Sequence, residues 1–84
     1  MIPYEFTVQA ERQLRKLPPH IQRQLLKKLE WFVNTPDPLR FAEPLVGRGQ
    51  RVFRFRVTDY RMIFEVTDEA ILITKVGRRD WIYE

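Results

Sequence analysis

Val52-Phe53-Arg54-Phe55-Arg56-Val57, then Thr58-Asp59, then Tyr60-Arg61-Met62-Ile63-Phe64: apolar and cationic side chains alternate up to a two-residue polar break, and alternation resumes beyond it. A period of two over five or six residues marks a strand with one buried face, and a two-residue polar link between two such runs marks a β-hairpin. With Thr58 and Asp59 as the loop, Val57 pairs with Tyr60, Arg56 with Arg61, Phe55 with Met62 and Arg54 with Ile63; a three-residue turn would weaken that register. One face then carries Phe53, Phe55, Val57, Tyr60, Met62 and Phe64, and the other carries Arg54, Arg56 and Arg61 together. Like charges directly opposite one another destabilise a sheet, so folding gives no reason for Arg56 to face Arg61. An arginine cluster with no acid in its own run points to an absent anion, a phosphate or a nucleic acid.

Outward from the hairpin, Ala70–Val76 is nearly continuous apolar sequence and reads as a third strand, reached through Asp68-Glu69 and stopped by Gly77. Residues 39–50 read as an irregular connection with Pro44 and Gly47. Before it the period is 3.6. Ala10, Leu14 and Leu17 follow the potential N-cap Thr7, and Ile21, Leu25, Leu29, Phe32 and Val33 form the apolar stripe of a second helix that begins after Pro18-Pro19. Arg23, Lys27, Lys28 and Glu30 lie outside that stripe, and Trp31 reads as packing. Residues 1–6, with Tyr4 and Phe6 on one side, read as the first strand. The expected fold is α+β in the order β-α-α-β-β-β: a helical hairpin packed on one face of a four-stranded, mainly antiparallel sheet. It forms a single domain over residues 1–84.

Composition narrows function. The chain has 84 residues, no Cys and one His, which removes thiol nucleophiles, disulfide frameworks and zinc fingers. No apolar run approaches a membrane span and the first residues make no signal peptide, so a cytoplasmic protein without membrane contact is expected. The formal charge of +4 comes from eleven Arg and only four Lys, a bias toward planar, bidentate recognition of phosphate or carboxylate. Arg48 and Arg51 extend the acid-free run ahead of Arg54 and Arg56, and Arg78, Arg79, Trp81 and Tyr83 close the chain with cations and rings suited to phosphate and base contacts. The carboxylates show no pairing suited to acid–base work or to a metal, and His20 is remote in sequence from every other candidate.

Three segments taken in order carry a resemblance. Leu45-Val46-Gly47 with the hairpin sequence, Val76-Gly77-Arg78-Arg79-Asp80-Trp81-Ile82-Tyr83, and Ala10…Leu14-Arg15-Lys16-Leu17-Pro18 resemble the sheet core, the closing motif and the first helix of the RelE/ParE toxin superfamily. The resemblance spans nearly the whole chain. It implies the toxin of a type II toxin–antitoxin pair, with a cognate antitoxin protein as partner and higher-order toxin–antitoxin complexes within reach. Its RelE branch acts as an endoribonuclease on mRNA in the ribosomal A site. Its ParE branch inhibits DNA gyrase without nuclease activity, and an inactive nucleic-acid-binding module is a third reading.

The RelE-type residues fall on Arg54, Arg56, Arg61, Arg79 and Tyr83, so the nuclease branch is favoured, with Arg48, Arg51, Arg78 and Trp81 as RNA contacts. The implied activity is a metal-free, cofactor-free cleavage by the RNA's own 2′-hydroxyl. Arginines stabilise the phosphoryl charge and Tyr83 is the proton-transfer or orienting group. Arginine stands at 54 and 56 where RelE has lysine, and because arginine keeps its charge, proton-transfer roles resting on lysine do not transfer.

Overall fold

The computed structural model describes residues 2–45, 51–68 and 70–80. Thr7 caps the first helix as its sequence suggests, its hydroxyl accepting from the Ala10 backbone N–H at 3.1 Å, and α1 runs Val8–Arg15 behind strand β1, Tyr4–Phe6. Pro18 and Pro19 then open α2, Pro19–Asn34, where a missing N–H costs nothing. Gln22 on its first turn donates to the Leu17 carbonyl at 2.8 Å and the Arg15 carbonyl at 3.1 Å, satisfying the end of α1. A 3-10 turn, Pro38–Phe41, leads into β2, Ala42–Pro44. The sequence reading placed no strand in this segment. The hairpin strands are β3, Val52–Val57, and β4, Tyr60–Val66, and β5 spans Ile71–Arg78.

The sheet is therefore five-stranded and mixed, in the order β1-β5-β4-β3-β2, with β1 parallel to β5 and every other pair antiparallel. The added strand corrects the expected four. Only three residues long and ending in proline, β2 is too short to show alternation and belongs at an edge, where an unpaired outer side is tolerated. The α+β class and the helix-on-sheet architecture stand as read. No helix among the described residues is long and apolar enough to cross a membrane.

The hairpin register is Val57↔Tyr60, Arg56↔Arg61, Phe55↔Met62 and Arg54↔Ile63, as the two-residue turn required. Thr58 takes φ 53°, a positive value of the kind such turns need. One sheet face packs on the helices. Phe32 of α2 stacks on Phe55 at 4.0 Å between centroids, Phe55 on Phe64 at 4.5 Å, and Phe64 on Phe53 at 5.6 Å, an aromatic ladder running from helix into sheet. Ala10, Leu14, Leu25, Leu29 and Val33 from the helices and Met62, Ile71, Ile73 and Val76 from the sheet complete the core.

Two details of β5 depart from the sequence reading. The pairing shifts between Ile63↔Lys75 and Phe64↔Ile73, leaving Thr74 as the extra residue of a bulge, and the Val76 N–H there is taken by Gln13 of α1 at 2.8 Å. Gly77 does not end the strand. It lies buried within it, opposite Arg61, where the absence of a Cβ leaves space beside a buried arginine.

Candidate nucleic-acid interface on the open sheet face

Alternation along β3 and β4 puts Arg54, Arg56 and Arg61 on the face that the helices leave open. Two rows cross the strands there. Glu43, Arg54, Ile63 and Lys75 form one; Arg56, Arg61 and Gly77 form the next. Glu43 is the finding that the sequence reading lacked. From β2 its carboxylate accepts from Arg54 Nε at 3.2 Å and Arg54 Nη2 at 2.5 Å on one oxygen, and from Arg56 Nη1 at 3.0 Å on the other. The expectation of an arginine cluster without compensation is thereby corrected: the cluster has an internal anion, brought from eleven residues upstream by an edge strand. The Arg54 hydrogen bond first, then that of Arg56, hold the Glu43 carboxyl below the usual carboxylate range, with the charges of both arginines adding to the effect.

Arg61 is of a different kind. It is only 5% exposed, and its Nη1 donates to the Thr58 carbonyl at 3.0 Å and the Tyr60 carbonyl at 2.9 Å. Its guanidinium thus braces the hairpin turn, where β-branched Thr58 sits in a backbone region that such residues avoid. The backbone N–H of Arg79 ties the same turn from β5, reaching the Asp59 carbonyl at 2.9 Å, and so sets exposed Arg79 at the sheet end that carries Arg56 and Arg61. The geometry therefore gathers Arg54, Arg56, Arg61 and Arg79 around one end of the open face.

Other expected contacts sit elsewhere. Arg51 precedes β3, at the end away from Arg56 and the hairpin turn. It donates to the Thr67 carbonyl at 3.4 Å and lies 3.9 Å from the Asp68 carboxylate. Arg78 pairs with Tyr60, a position on the helix side of the sheet, and lies 3.6 Å from Asp80. Arg48, Trp81 and Tyr83 lie outside the described residues.

An open sheet face with two convergent guanidiniums and a braced turn beside them is the architecture, and the comparisons say which proteins share it. The family model described as the ParE toxin of the type II toxin–antitoxin system, parDE, matches residues 4–83. Toxin RelG of Mycobacterium tuberculosis is 33% identical over 86 residues, covering 98% of this chain and 98% of its own length. The chain belongs to the RelE/ParE toxin family. Among solved members of that family, the crystal structure of the RelBE2 toxin–antitoxin complex from M. tuberculosis superimposes with a TM-score of 0.76 at 29% identity, covering 93% of this chain and 98% of the other. The archaeal RelE–RelB complex from Pyrococcus horikoshii OT3 gives 0.74 at 28%, covering 95% and 97%.

In this RelE/ParE chain the open face offers fixed cations for a phosphoryl group and one ionised carboxylate among them. Glu43 had one sequence signal: it is the single acid between Asp37 and Asp59. Its place beside Arg54 needed the strand pairing.

Proposed function

We propose that the chain is a type II toxin that cleaves mRNA on the ribosome and is neutralised by a cognate antitoxin. The observation that carries this reading is the double grip of Arg54 and Arg56 on the Glu43 carboxylate. Two guanidiniums that converge on one carboxylate are placed to converge on one phosphoryl group, and the carboxylate stands in for that oxyanion. In the reaction, the RNA 2′-oxygen attacks the adjacent phosphorus, the P–O5′ bond breaks, and a 2′,3′-cyclic phosphate and a 5′-hydroxyl result. One proton leaves the 2′-hydroxyl and one reaches the departing 5′-oxygen. Arg54, Arg56 and Arg79 stabilise charge on the phosphoryl oxygens, with Arg61 holding the hairpin that carries Arg56. Two groups can accept the proton: Glu43, ionised among the cations, and Tyr83 of the closing motif. Glu43 is a weak base in that field, and the ribosome's alignment of the message supplies what the site lacks, since positioning alone contributes roughly 7–11 kcal/mol.

The partner follows from the relatives, whose solved structures are complexes of RelE-type toxins with antitoxins. An acidic segment that folds onto the arginine face would silence the site. The matching ParE model supports the second reading, a gyrase inhibitor with no chemistry. Primer extension on mRNA in a translating extract, run beside a gyrase supercoiling assay, separates the two. Cuts within ribosome-bound message, absent with the Arg54→Ala/Arg56→Ala variant, are expected. Blocked supercoiling with intact message overturns the nuclease reading.

A further inference from the structure

Beside the arginine face, and opening onto it at Arg56, lies a groove of about 460 Å³ between α2 and the hairpin turn. Its helix wall is Gln24, Lys27, Lys28 and Trp31, spaced i, i+3, i+4 and i+7, so these four form one stripe along α2 next to the buried stripe. Arg56, Val57 and Thr58 form the opposite wall. None of the described residues that line it is acidic, and three are cations. Trp31 is 47% exposed although its ring is held at the edge by Phe41, 4.9 Å between centroids, and by Phe32 at 5.4 Å. The ring is therefore fixed and only half covered. Lys28 Nζ stands over it, 4.6 Å from the centroid, so a cation lies on one face of the indole while part of its surface stays exposed.

We propose that this groove is a nucleotide subsite, holding one residue of the RNA strand next to the phosphate that Arg54 and Arg56 grip; the inference rests on the nuclease reading above. A nucleotide needs a π-face for its base, cations for its phosphate and a few polar groups for the base edge. Trp31 supplies the first, and Lys27 and Lys28 the second. The Gln24 amide, which donates and accepts, supplies the third together with Thr58, whose hydroxyl proton goes to the Val57 carbonyl at 2.6 Å and leaves its oxygen to accept. The size is within the roughly 300–1,000 Å³ of small-ligand sites. Arg56 belongs both to the grip on Glu43 and to the groove's hairpin wall, so a strand leaving the gripped phosphate is led into the groove.

The test is binding, not cleavage. A fluorescently labelled, 2′-O-methyl single-stranded RNA hexamer, which lacks the nucleophile, is titrated with the whole chain and followed by anisotropy over a salt series. Lys27→Gln/Lys28→Gln is expected to weaken binding about tenfold and to reduce the salt slope by about 1.4, the change for two phosphate contacts on a single strand. Trp31→Ala is expected to lose about tenfold and Trp31→Phe to recover most of it, because a phenyl ring keeps a stacking face. Each variant is checked by circular dichroism. Should Trp31→Ala unfold, the lysine pair and Gln24→Ala still decide the matter. Wild-type affinity and slope for the lysine pair overturn the subsite. So does an intact RNA affinity with loss of antitoxin binding, which would make the groove a protein contact. If the hexamer binds through the α2 stripe yet no message is cut, the nuclease reading fails and the subsite survives. If message is cut while the α2 variants bind normally, the reverse holds.

Discussion

At position 43 a carboxylate meets two guanidiniums on an open face, and its removal separates binding from chemistry. Glu43→Gln takes one negative charge out of the phosphate site, so RNA affinity is expected to rise severalfold at low salt. Single-turnover cleavage of ribosome-bound message is expected to fall on the order of 10²-fold if Glu43 takes the proton. A rise in both the affinity and the cleavage rate would make Glu43 a counter-ion alone and return the proton to Tyr83, whose Phe variant then shows the loss instead. Acidity tests the same contact. The folded-state pKa of Glu43 lies below its ordinary value, so the stabilisation it brings is present above that value and is lost as pH falls through the lowered one. Below the usual carboxylate range the melting temperature of the parent should therefore drop more steeply than that of Glu43→Gln. Parallel curves would show that the grip contributes nothing to folding.

The hairpin gives two opposed arginines opposite fates. Arg56 is exposed and bonds Glu43 across the surface, while Arg61 is buried on turn carbonyls. Arg56→Ala should leave the melting temperature unchanged or slightly raised, since it relieves the like-charge pair. Arg61→Ala removes a buried side chain and its two charge-assisted bonds to the Thr58 and Tyr60 carbonyls and should destabilise by about 1–3 kcal/mol, visible as a lower midpoint in urea. Equal midpoints for the two variants would refute the bracing role.

This element also shows what the sequence can and cannot reveal. Thr58-Asp59 fixed the register because a two-residue loop permits only one pairing, and the Phe-Arg alternation told which face was which. The burial of Arg61 was invisible: it depends on Gly77 lying opposite, and a glycine after an apolar run reads as a stop. Ala42-Glu43-Pro44 was equally silent, because three residues ending in proline carry no period. The half-exposed stripe of α2 was legible as residues outside the core, but Trp31 among them read as packing. Only the approach of the Arg56 strand makes its exposed face part of a groove.

Over the whole molecule, the two faces of the sheet are built on different terms. The hydrophobic face is settled by the Phe32–Phe55–Phe64–Phe53 ladder and its aliphatic surround, whereas the opposite face sets Arg56 against Arg61 with Glu43 as the carboxylate bound by Arg54 and Arg56. Any polyanion that binds the folded sheet and not the unfolded chain must therefore stabilise the fold by mass action, about 2.7 kcal/mol at a hundredfold excess over its Kd. For a domain of this length each kcal/mol moves the midpoint by about 4–8 °C, so single-stranded RNA in that excess should raise the melting temperature by roughly 10 °C or more. If the arginines meet phosphates, raising salt from about 50 to 200 mM should erase most of the gain. Thermal melts of the parent and of Arg54→Ala/Arg56→Ala, with and without an RNA oligomer, measure it directly. The double variant should melt somewhat below the unliganded parent, having lost the Glu43 contact, and respond weakly to RNA. A full shift in the double variant would place the polyanion away from the arginine face, and a shift indifferent to salt would mean that bases or apolar contacts, and not phosphates, hold the strand.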